Sequence, residues 1–140
     1  MKKSRTDNNK SNGVIATGEE RRRLMQSWVM ELASSLMTEY DMTRRVALRQ
    51  AYMTRDLLEW LGRGKVWFAY RKADGTTRRA WGTLCKGVTE DFDSYQYKGE
   101  ADAEAARDIT TVRYWDIDAR GFRSFKAARL LLIDGAIALR

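Results

Sequence analysis

Two stretches of this 140-residue chain alternate basic with aromatic side chains: KVWFAYRK (65–72) with TTRRAW (76–81), and RYWDIDARGFRSFK (113–126). Guanidinium and ammonium groups bind phosphate, and aromatic faces stack on bases with little regard to sequence, at about 1–3 kcal/mol per base. The phosphate-contact candidates are Arg71, Lys72, Arg78, Arg79, Arg113, Arg123 and Lys126; Trp67 and Tyr114 are the stacking candidates.

Other chemistries find few residues to work with. The chain has no His, no Pro and a single Cys, Cys85. That excludes Ser-His-Asp and Cys-His arrangements, an imidazole base, zinc sites of the Cys/His kind and an internal disulfide. No catalytic residue, cofactor or metal is expected. The acids between 90 and 108 lack an Asp-x-Asp-x-Asp-Gly loop and read as a solvated segment. There is no apolar run long enough to span a membrane, and MKKSRTDNNKSNG lacks the apolar stretch of a signal peptide. The expectation is a soluble, cytoplasmic protein that does not engage a membrane. Lys and Arg number 26 against 19 Asp and Glu, a net charge of +7, which favours an anionic partner without naming one.

Each candidate also has a plainer reading. Aromatic residues on strands form cores more often than stacking platforms, and strand arginines of a basic protein are usually solvated. Arg44, Arg45 and Arg49 share their side of a helix with Asp56 and Glu59, so a solvated face explains them. Cys85 reads as a small buried apolar group.

The elements that position these residues follow from periodicity. Residues 1–17 read as a flexible basic arm. Leu24, Trp28, Leu32, Leu36 and Tyr40, with Met25, Val29 and Ala33, share one arc of a helix from Glu19. Thr43 is an N-cap for a second helix ending near Leu61, whose apolar residues fill one half-circle and whose charged residues fill the other, with Leu48 and Tyr52 as the exceptions there. Together 18–62 form a helical hairpin. From residue 63 the period drops to two. Strands at 65–72 and 76–84 flank Asp74-Gly75; strands at 110–116 and 122–126 flank a turn at 118–121; a last strand covers 128–133. Residues 85–109 form an acidic excursion with a short helix over Ala101–Arg107. The fold class is α+β: an N-terminal helical hairpin followed by a small, curled, five-stranded antiparallel barrel over 63–140.

With a two-residue turn at Asp74-Gly75, Arg71 would face Arg78, Tyr70 would face Arg79, and Phe68 would face Trp81. Trp67, Arg71 and Arg78 would then share an outward face. Like charges placed opposite one another are unfavourable unless a ligand neutralises them.

The stretches GKVWFAYRKADGTTRRAWGTL (64–84) and YWDIDARGFRSFKAARLLLI (114–133) resemble a small family found in Bacteroidota, their mobile elements and their phages, described as a WYL-like, Sm-like SH3-type β-barrel. The matching pieces are the Val66/Phe68/Tyr70 strand, Lys72 with Asp74-Gly75, Ala80-Trp81-Gly82-Thr83-Leu84 and Arg123-Ser124-Phe125-Lys126, with MTRRVALRQAY (42–52) as the preceding helix. The resemblance implies an SH3/Sm-like barrel and, by analogy, nucleic-acid or ligand binding; it carries no catalytic residues. The long first helix, the basic arm and Trp67 depart from the family pattern.

The leading expectation is therefore a non-enzymatic module, encoded by a phage or mobile element, that contacts nucleic acid through the barrel. The rival is a protein–protein module, an accessory or inhibitor subunit or a homo-oligomer, using the helical hairpin and Trp67. A third reading is a sensor of a small anionic ligand. By region, the net charge is +4 over 1–23, +3 over 66–84 and +3 over 111–140, against −4 over 85–110, so the acidic excursion is a candidate screen over a basic barrel.

Overall fold

The computed structural model describes residues 17–96, 99 and 108–139. Helix α1 (Gly18–Tyr40) starts at a capping box: Thr17 Oγ1 accepts from the Glu20 N–H at 3.0 Å, and Glu20 accepts from the Thr17 N–H at 2.8 Å. It stops at Asp41, which is left-handed with φ 55°. Helix α2 (Arg44–Leu61) is capped by Thr43, as the sequence predicts, and ends at Gly62. Strands β1 (Gly64–Arg71) and β2 (Thr77–Thr83), the short helix α3 (Glu90–Asp93), β3 (Thr111–Asp116) and β4 (Gly121–Lys126) follow. A 3-10 turn (Ala127–Arg129) leads into β5 (Leu130–Ala138). The expected basic arm at 1–16 and the expected helix at 101–107 lie outside the described residues.

The five strands form one antiparallel sheet in the order β4-β3-β2-β1-β5. Rings on β1 and β4, which are not neighbours in the sheet, nevertheless stack: Tyr70 and Phe125 lie 4.1 Å apart at 9°. The sheet is therefore curled around a shared interior. Phe68, Tyr114, Val66 and Val112 fill it, with Leu57 and Leu61 of α2 and Leu32 and Leu36 of α1, so helices and sheet share one buried apolar cluster. Gly82 faces this interior because nothing larger fits: a Cβ there would sit 2.7 Å from Tyr114 Cδ2 and 2.9 Å from Phe68 Cε1.

Two expectations need correction. The β1–β2 loop is one residue longer than a two-residue turn. The Gly75 N–H donates to Lys72 O at 2.9 Å, the Lys72 N–H donates to Thr76 O at 2.7 Å, and Gly75 has φ +92°, which is a type I turn closed by a glycine bulge. Asp74 braces it by accepting from the Thr76 N–H and hydroxyl. The register becomes Arg71↔Thr77, Tyr70↔Arg78 and Trp67↔Trp81, so Arg71 does not face Arg78. Arg78 turns to the inner face and Trp81 to the outer, the inverse of the expected sides. Second, β5 continues past residue 133 to Ala138, because a bulge at Asp134 keeps it paired with β1. Trp67 pairs with Gly135 and Phe68 with Ile133, skipping Asp134. The apolar arc of α1 is only partly covered, as its width suggests. Val29, Leu32, Ala33 and Leu36 are buried, whereas Leu24 is 66% exposed. On α2 the exception Tyr52 is explained by a second neighbour, since its hydroxyl hydrogen-bonds Gln26 of α1. Among the described residues no helix is long and apolar enough to cross a membrane.

Candidate functional site

At one end of the curled sheet, the β1–β2 loop, the start of β2, β4 and the 3-10 turn surround a concave site of about 710 Å³. Arg71, Lys72, Arg78, Arg123, Lys126 and Arg129 all line it. The stacked rings of Tyr70 and Phe125, both nearly buried, line it from the core side. The longer loop creates this arrangement, because it turns Arg78 inward, toward β4.

Asp116, wholly buried at the end of β3, anchors the cluster from behind. Arg78 Nη2 donates to Asp116 Oδ2 at 2.6 Å, Arg123 Nε lies 3.6 Å from the same oxygen, and the Ala119 N–H donates to Oδ1 at 2.9 Å. Burial alone would push the Asp116 carboxyl up. The Arg78 and Ala119 hydrogen bonds and the two guanidinium charges outweigh it and hold the carboxyl below its ordinary range. The same pair pushes Arg78 up. Arg78 Nε is itself buried without a hydrogen-bond partner among the described residues.

The loop residues are held differently. Arg71 donates to Gly75 O at 2.9 Å and Arg129 donates to Lys72 O at 3.2 Å, so both guanidiniums are steadied by neutral carbonyls. Among the described residues no carboxylate pairs with Arg71, Lys72 or Arg129. Lys126 sits at the rim, 3.1 Å from Asp108 Oδ2. Hydrogen bonds from Thr110, Thr111 and Lys126 hold the Asp108 carboxyl well below the usual carboxylate range.

Four sequence candidates lie elsewhere. Tyr114 cannot stack on a ligand: it is fully buried, its hydroxyl meets Tyr70 at 2.9 Å and Asp116 at 3.3 Å, and burial pushes its phenol up. Arg79 pairs with Asp134 across the outer face at 3.0 Å. Arg113 lies over the Phe122 ring at 3.6 Å, away from the pocket. Trp67 packs on Trp81 with centroids 5.5 Å apart, on the outer row that also carries Arg71 but not Arg78. Sequence reasoning missed Arg129, read as the start of an apolar strand; its signal was the lone charge in ARLLLI. It also missed Asp116, a carboxylate at the end of an aromatic strand.

The acidic excursion, where described, covers the outer side of the β3–β4 hairpin instead of the pocket. Phe92 and Tyr95 pack on Trp115 and Phe122, and Asp91 pairs with Arg120 at 2.7 Å. Only Asp108, among its described residues, forms an ion pair with a pocket cation. The described residues contain no group of three His, Cys, Asp or Glu placed to hold a metal ion. Chemically, the pocket is a set of fixed cationic donors suited to hold oxyanions.

A model of the family described as WYL_2, Sm-like SH3 beta-barrel fold matches residues 54–131, which span α2 from Thr54 through the first residues of β5 and include every pocket residue named above. None of the curated proteins and none of the solved structures compared with the chain matches it.

Proposed function

Because the chain belongs to the WYL_2, Sm-like SH3 beta-barrel family, we propose that it is a non-enzymatic binding module that holds nucleic acid by its phosphates in the basic pocket. The observation that carries this reading is the convergence of six Arg and Lys side chains on one concave site, three of them without a carboxylate partner among the described residues. Trp67, on the same outer row as Arg71 and about four residues or ~13 Å along β1, offers a ring for a base of the same strand. An origin in a phage or mobile element and a cytoplasmic location belong to the same proposal and rest on the family resemblance and the sequence.

The test is fluorescence anisotropy of labelled single- and double-stranded oligonucleotides at several salt concentrations. With about four phosphates neutralised, the logarithm of affinity for single strands should fall against the logarithm of salt with a slope of roughly −3. Absence of salt-sensitive binding at low ionic strength refutes the reading, and binding of free nucleotides alone would favour a small-ligand sensor.

A second reading has its own observation. Leu131, Leu132 and Ile137 are exposed on the edge strand β5, and Leu24, Met30 and Met37 on α1. Spare apolar surface of this kind suits a protein partner or a second copy. Light scattering behind size exclusion distinguishes self-association from the monomer that the nucleic-acid reading permits.

A further inference from the structure

Two features of the pocket bear on which phosphate of a strand it holds. The first is its charge. Asp116 offsets part of the charge of Arg78 and Arg123, Asp108 offsets Lys126, and Asp74 stands near Lys72; six cations less three carboxylates leaves an excess of three. An internal phosphodiester brings one negative charge, whereas a terminal phosphomonoester brings about −1.5 to −2 at neutral pH and three free oxygens. The second is its shape. Tyr70 and Phe125, stacked at 4.1 Å and nearly buried, line its inner side, so the cations surround a concavity backed by packed core and a phosphate seated there meets several of them at once.

The donors also suit a phosphate carrying several free oxygens. Arg71 and Arg129 spend one N–H each on loop carbonyls, which orients the fork and leaves other donors available. Arg78 Nε is buried without a partner among the described residues.

We infer that the pocket takes the phosphorylated end of a nucleic-acid strand, a terminal phosphomonoester, in preference to internal phosphodiesters. This rests on the nucleic-acid reading above and narrows it to a ligand.

The absence of His makes the inference testable by pH. The groups facing the pocket are the six Arg and Lys side chains and the Tyr70 ring, with the Asp74 carboxyl, held below its ordinary range by the Thr76 hydrogen bonds, beside Lys72. Behind them stand Tyr114, Asp116 and Asp108, the two carboxyls held below their ordinary range and so ionised at pH 5. A pH dependence of binding between about pH 5 and 7 then reports the second ionisation of the ligand phosphate, near pH 6.

The experiment uses the full chain and an internally labelled thymidine octanucleotide in three forms, with a 5′-phosphate, a 3′-phosphate or neither, and thymidine monophosphate as competitor. One phosphorylated form should bind about tenfold tighter than the unphosphorylated strand near pH 7. That advantage should shrink toward pH 5, and the Lys72→Gln variant, altered at an exposed loop position, should lose most of it at an unchanged Tm. Equal affinities for all three strands overturn the inference and leave nucleic-acid binding standing. An advantage that does not change with pH also overturns it. Failure of every strand to bind, or competition by the monophosphate as strong as by the phosphorylated strand, overturns both.

Discussion

The buried carboxylate behind the pocket offers the sharpest test of the structural reasoning. In Asp116→Asn the shape is kept and the Ala119 N–H still finds an oxygen, but Arg78 loses its charge partner at 2.6 Å and Arg123 its weaker one at 3.6 Å. Removing one partner of a fully buried pair costs about 3–5 kcal/mol. Asp116 is fully buried, but the Arg78 side chain is 26% exposed and recovers some hydration, so the expected loss is about 2–3 kcal/mol. For a domain of this size that is a fall in Tm of roughly 6–12 °C. Urea unfolding followed by tryptophan fluorescence measures the loss directly. The sign with pH is fixed by the lowered carboxyl: the advantage of the wild type is present above the ordinary carboxylate pKa, near 3.9, and disappears as pH falls through the lower folded value. A cycle with Arg78→Met should show the double variant less destabilised than the two single losses combined, by about 1–3 kcal/mol. A loss below about 0.5 kcal/mol for Asp116→Asn, the range of a solvated surface pair, would refute the buried anchor.

Gly82→Ala should cost about 1–3 kcal/mol, read from the urea midpoint, because its Cβ must displace the Tyr114 and Phe68 rings at 2.7 and 2.9 Å. Stability should be nearly flat between about pH 5 and 8, since the chain has no His, and should fall below about pH 4. There the hydrogen-bonded carboxyls of Asp108 and Asp116, both lowered by folding, take up protons and lose that stabilisation; a Tm series across pH checks the shape. Lys72→Gln should weaken oligonucleotide binding and flatten the salt slope by about 0.7. Trp67→Ala should weaken binding about tenfold while leaving the slope unchanged, and a change of slope in Trp67→Ala would remove the stacking role from that ring.

Much of this molecule is written in local sequence. Thr17 and Thr43 begin helices because their hydroxyls cap free N–H groups, and period-two runs of aromatic and β-branched residues make strands wherever they occur. The basic cluster was legible for a similar reason: Arg71, Lys72, Arg78, Arg123 and Lys126 stand at the ends of two recognisable hairpins, and hairpin ends converge when a small sheet curls. What local sequence left open was the side each strand residue faces, since the side-chain period of two turns a one-residue difference in loop length into an inversion. The glycine bulge at Gly75 decided that Arg78 points inward to Asp116 and that Trp81 joins Trp67 outside. Tyr114 is buried in the core and Arg129 of the 3-10 turn lines the pocket, neither placement being fixed by local sequence. Whether an aromatic ring or a guanidinium meets solvent depends on strands distant in the chain, and only the curled sheet and the 3-10 turn bring those strands together. The composition and the order of elements were local properties; the pocket, its buried carboxylate and the cations gathered there are properties of the curled sheet.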